Sequence, residues 1–149
     1  MTHEEKALSY FSKKFHCSQS VLAAFADELG MTEEQALKVS ACFGGGMNKG
    51  EVCGACTGAL MVLGMKCGHF VADDFEGRAA ENANAVQFLE NFQKRNGSYI
   101  CREILGCDLG TEEGRNRARA TNLFTTTCCD MVASAVRILE EMLESGGKA

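Results

Sequence analysis

The chain has 149 residues, 46% of them hydrophobic and 23% charged, with a formal net charge of −5. This is a globular balance, and it gives no electrostatic pull toward nucleic acid or an anionic membrane. The opening MTHEEKALSYF carries acid near its front and no long apolar core, and the longest purely apolar run, Ala59 to Leu63, is far too short to cross a bilayer. The expectation is therefore one cytoplasmic domain over residues 1–149, with no nucleic-acid or membrane partner.

Helical periodicity dominates. EEKALSYFSKKF predicts a first helix with Leu8, Phe11 and Phe15 on one face. SQSVLAAFADELG predicts a second, grouping Val21, Leu22 and Phe25 and stopping at Gly30. A third begins at Thr32, where TEEQ is a capping box, and runs through LKVSACF until Gly44, Gly45 and Gly46 break it. A fourth opens between Glu51 and Cys53 and carries ALMVLG. The fifth is long, from Asp73 to Arg95, with Phe88, Leu89 and Phe92 as its buried stripe. ICREILG is a short segment ending at Gly106, and TEEGRNRARA is a polar stretch. The last helix covers Thr126 to Leu143, with Met131, Val132, Ala135, Ile138, Leu139 and Met142 spaced for burial. Alternating strand-like runs are missing, so the expected fold is an all-α bundle of about five to seven helices joined by short loops.

Nine cysteines stand out: Cys17, Cys42, Cys53, Cys56, Cys67, Cys101, Cys107, Cys128 and Cys129. In a reducing compartment static disulfides are rare, so such a set points to metal or redox chemistry. The plainer alternative is that free cysteine packs as a small core residue. The stretch GGGMNKGEVCGACTGALMVLG, Gly44 to Gly64, sharpens the question. Its glycines allow a tight turn, and Cys53 and Cys56 follow three apart, on one face of a helix's first turn. Unpaired amides and the dipole at a helix start favour a thiolate, which is the form that attacks disulfides and binds metal. Gly54 and Gly58, with Ala55 and Ala59 beside them, equally suit close packing by a neighbouring helix. Lys49 precedes Gly50 and glutamate follows, so this is not a phosphate loop.

Structural zinc usually shows two close cysteine pairs, whereas here one CxxC is followed by the wider Cys101…Cys107 and the adjacent Cys128 and Cys129. Zinc is not favoured, and four thiolates from separate helices can equally hold an iron–sulfur cluster. No CxxCH marks haem, and no GxGxxG in a βαβ unit marks a dinucleotide. Any redox partner is then another protein or a small thiol, and whether the chain forms a homodimer is open. His16, beside Cys17, reads as a helix-end residue; Arg115, Arg117 and Arg119 read as a solvated face; Asp73 and Asp74 read as a helix start.

FHCSQSVLAAF, CFGGGMNKGEVCGACTGALMVLG, SYICREILGC and CCDMVASAVRILEEML together resemble the C_GCAxxG_C_C family of small helical redox-active proteins. The resemblance runs from about Phe15 to Leu143 and centres on Cys53-Gly-Ala-x-x-Gly58. It implies that the family cysteines fall on Cys17, Cys53, Cys101 and Cys128, as ligands of a cluster or metal or as exchanging thiols. Cys42, Cys56, Cys67, Cys107 and Cys129 are then additions. Cys56 fills a variable position of the motif, and a dithiol mechanism would join it to Cys53.

Overall fold

The structure is a computed structural model and describes residues 1–145. Its α-helices are α1 (His3–Ser12), α2 (Cys17–Ala24), α3 (Glu33–Val39), α4 (Gly54–Cys67), α5 (Phe75–Asn96), α6 (Cys101–Leu105), α7 (Glu112–Ala120) and α8 (Thr127–Glu144). The fold is all-α. Among the described residues the only β pairing is an isolated antiparallel bridge between Val52 and Ile100. No helix among them is long and apolar enough to cross a membrane.

Local chemistry explains most boundaries. Thr2 caps α1 by accepting from the Glu5 amide, and Glu5 answers by accepting from the Thr2 amide. Thr32 and Gln35 do the same for α3, as the TEEQ pattern predicts. α1 stops at Ser12, short of Phe15, because Lys14 turns left-handed at φ 77°. The predicted second helix also divides: α2 ends at Ala24, and a separate 3₁₀ turn, Asp27–Leu29, is closed by left-handed Gly30. α5 begins just after Asp74, whose carboxylate accepts from the Gly77 amide.

Among the described residues the α-helices number eight, more than the expected five to seven, and α7 is the reason. The stretch TEEGRNRARA is helical: Thr111 caps it by accepting from the Gly114 amide, and only Gly114 and Ala118 are buried. Two small residues leave no apolar stripe, so the helix has no periodic signature.

The core forms where α2, α4, α5 and α8 meet. Val21, Leu22 and Phe25 pack with Val62, Phe88, Phe92, Val132, Val136, Ile138 and Leu139, all fully buried. Leu89, expected in the α5 stripe, is only half-buried. α1 lies across α2 and α8, and His3 stacks on Phe25 with ring centroids 4.0 Å apart. Arg137 binds Glu4 through two nitrogens at 2.9 and 2.8 Å, tying α8 to α1. A smaller cluster of Cys101, Leu109 and Ala118 organises α6 and α7 beside this core.

Candidate functional site

Four helices begin at the same place, and each begins at a cysteine. Cys17 is the first residue of α2, Cys53 caps α4, Cys101 is the first residue of α6 and Cys128 is the second of α8. Cys53, Cys101 and Cys128 are buried and Cys17 is half-buried. Each thiol therefore sits at the positive end of a helix dipole, near amides that have no partner inside the helix.

Two packing features bring them together. The first is the small face of α4. A Cβ at Gly58 would stand 2.7 Å from the Ser18 carbonyl oxygen, and one at Gly54 3.2 Å from the Ser18 amide and 3.3 Å from the Cys17 Cβ. Only glycine admits the backbone of α2 so closely, and the contact seats Cys17 beside Cys53. Ser18 is itself fully buried, its hydroxyl donating to the Ser40 carbonyl at 2.8 Å. The second feature is the bridge between Val52 and Ile100. The Cys53 amide donates to the Tyr99 carbonyl at 2.8 Å, and the Cys101 amide donates to the Glu51 carbonyl. That reciprocal pair sets the start of α6 against the start of α4.

The glycine-rich loop shapes the approach. Gly45, Gly46, Met47 and Asn48 are consecutive left-handed residues, with φ between 57° and 64°. A non-glycine residue there costs about 1–2 kcal/mol. The surroundings hold the turn: the Glu51 amide donates to the Gly46 carbonyl at 3.1 Å, and Arg102 Nη1 donates to the Gly50 carbonyl at 3.0 Å. Arg102 also pairs with Glu51 at 3.1 Å. The loop after Gly44 thus ends fastened to α6, next to Cys101.

The thiols differ in acidity for identifiable reasons. Cys53 is held below the ordinary thiol range, first by hydrogen bonding with the Cys56 thiol and then by the amides of Ala55 and Cys56. The sulfur makes no full capping hydrogen bond, but those N–H groups lie close enough to favour its anion. Cys56 moves the opposite way, because burial penalises its thiolate and the Cys53 charge repels it. Cys17 is pushed up, first by hydrogen bonding with Cys128, then by burial and the charges of Cys53, Cys128 and Cys101. Burial, followed by the same Cys53 and Cys128 charges, pushes Cys101 up to about 12. The thiols of Cys17, Cys53, Cys101 and Cys128 are thus near enough to influence one another's charge, and Cys56 lies beside Cys53.

The remaining cysteines divide. Cys107 packs against the small cluster that contains Cys101, and Cys129 lies next to Cys128 with its thiol aimed at the Phe124 carbonyl, 3.9 Å away. Cys67 is at the far end of α4 and Cys42 is exposed in the turn after α3. His16 is exposed, and its ring lies over Gly44. Arg102 is a residue that sequence reasoning missed, and nothing in CREILG distinguishes it from an ordinary surface arginine.

Among the described residues no three histidine, cysteine, aspartate or glutamate side chains are arranged to hold a metal ion.

Buried thiols gathered at helix starts define a class, helical proteins whose chemistry is that of sulfur. Within it, this chain belongs to the C_GCAxxG_C_C family: the model described as "Putative redox-active protein (C_GCAxxG_C_C)" matches residues 15–142. Neither the curated proteins nor the solved structures give a match.

Proposed function

We propose that the chain works by dithiol–disulfide exchange, with Cys53 as the attacking thiolate and Cys56 as the thiol that resolves it. The observation that carries this reading is the opposed pair at the start of α4: one thiol held low by two amides and its neighbour, the other buried and held high. A disulfide-bearing partner, protein or small molecule, supplies the oxidant. The Cys53 thiolate attacks one sulfur, the partner's S–S bond breaks, and the released sulfur takes a proton. Cys56 then loses its proton and attacks Cys53, forming the Cys53–Cys56 disulfide and releasing the second partner thiol. The partner gains two electrons and two protons, and this chain loses the same number.

Trapping tests the order of attack. With an aromatic disulfide reagent, Cys56→Ser is expected to stall as a stable mixed disulfide at Cys53, and Cys53→Ser to give none at residue 56. Adducts spread evenly over the exposed cysteines in both variants would remove the assignment.

A second reading has its own support, the convergence of Cys17, Cys53, Cys101 and Cys128 on four helix starts. In it those four thiolates hold an iron–sulfur cluster, which supplies one-electron transfer when bound. Visible absorption of protein purified without oxygen, with iron and acid-labile sulfide counted, decides between them. Under either reading the chain serves a redox partner protein or small thiol in a reducing compartment.

A further inference from the structure

Of the seven large apolar side chains left in solvent among the described residues, Met1 and Val39 lie elsewhere, and Met65, Phe70, Val71, Phe75 and Val86, 51, 94, 59, 70 and 54% exposed, follow one another along the end of α4, the turn after it and α5 as far as Val86. Contiguous apolar surface of this kind marks a contact. On α5 it forms a stripe: Phe75, Ala79, Ala83 and Val86 recur every three or four residues, all exposed, opposite the face that buries Phe88 and Phe92.

The stripe is flanked by charges whose arrangement is self-complementary. Glu76 and Lys94 lie on the same flank of α5, separated by five turns, and neither makes an ion pair among the described residues. In an antiparallel pair related by a twofold axis, same flanks face each other and each contact occurs twice. With the axis beside residues 84 and 85, Ala83 meets Val86 of the second copy, and Glu76 meets Lys94 of the second copy. The small alanines let the two backbones approach, Ala83 and Val86 of the two copies cover each other at the centre, and Phe75 and Ala79 lie against the Glu90–Arg95 turns of the second copy.

We propose that the solvent face of α5 is an interface between two copies of this chain, packed antiparallel through Ala79, Ala83 and Val86 and locked in register by reciprocal Glu76–Lys94 pairs.

Sedimentation velocity of the full chain, kept reduced so that no intermolecular disulfide contributes, tests this. A reversible dimer at micromolar concentration is expected. Val86→Glu, on an exposed position, is expected to give monomer with an unchanged circular dichroism spectrum. Glu76→Lys alone or Lys94→Glu alone is expected to weaken the dimer about tenfold. The double variant Glu76→Lys/Lys94→Glu, or an equimolar mixture of the two single variants, is expected to recover it. A chain that is monomeric throughout, or a dimer that Val86→Glu leaves intact, overturns the proposal. A dimer lost in Val86→Glu but indifferent to the charge swaps overturns the antiparallel register.

Discussion

The two ends of α4 are built from the same kinds of residue and behave oppositely. At its start Gly54, Ala55, Cys56, Gly58 and Ala59 are pressed against α2; at its end Gly64 and Met65 face solvent. A Cβ at Gly58 would meet backbone at 2.7 Å, while one at Gly64 would meet nothing within 4 Å. Cys53, at the start, is held low by amides and a neighbouring thiol; Cys67, in the last turn, is pushed up by burial. Composition does not separate these ends. What separates them is which end of a dipole the sulfur occupies and whether another backbone lies against the glycine.

That contrast can be broken by substitution, and the largest effect is on exchange. Cys53→Ser is expected to abolish formation of the intramolecular disulfide in a redox buffer, and Cys67→Ser to leave it unchanged, both read by peptide mapping. Next is packing. Gly58→Ala forces a methyl group into the Ser18 backbone and is expected to cost about 3 kcal/mol in a denaturant melt. Gly64→Ala, on a solvent-facing helical position, is expected to stabilise by about 0.5–1 kcal/mol, because alanine has the better helix propensity.

The pH dependence is smaller and follows from the directions of the shifts. Cys17, Cys56 and Cys101 are raised, so their contribution is complete below the ordinary thiol value near 8.5 and is lost as pH rises toward their folded values, about 12 for Cys101. Cys53 is lowered, so its contribution is present above that ordinary value and lost as pH falls through its folded one. The raised thiols outnumber it, and the reduced protein is expected to have a lower urea midpoint at about pH 9.5 than at pH 7. The most delicate comparison is the midpoint of alkylation against pH: Cys53 is expected to titrate below about 8.5 and Cys67 above it. Midpoints in the reverse order would mean that the start of α4 does not stabilise an anion.

How far the sequence carried this account depends on the element. Thr32 to Gln35 and Gly30 announced their boundaries because caps are local chemistry, read from side chains within one turn. The core positions of α8 were equally legible, since Val132, Ala135, Ile138 and Leu139 repeat at helical spacing and are fully buried. α7 was not, because it buries only Gly114 and Ala118 and has no apolar period to detect. At the site, the cysteines and the small face of α4 were legible, and the family resemblance implied that Cys17, Cys53, Cys101 and Cys128 act together, but the contacts that bring them together were not legible. Those are Ser18 lying under Gly58 and the pairing of Val52 with Ile100, contacts between residues 40 and 48 positions apart that no local pattern encodes. The common signal was visible in retrospect: Cys17, Cys53, Cys101 and Cys128 each stand where a helical period begins.

The central claim is that Cys53 and Cys56 form a reversible disulfide while the other thiols stay reduced. The most direct test equilibrates the full chain, without oxygen, in glutathione buffers of graded ratio, blocks free thiols and maps every disulfide by mass spectrometry. One linkage, Cys53–Cys56, is expected, appearing in a single two-electron transition. A chain in which those two cysteines remain free at every ratio, while other cysteines pair or none do, would contradict it.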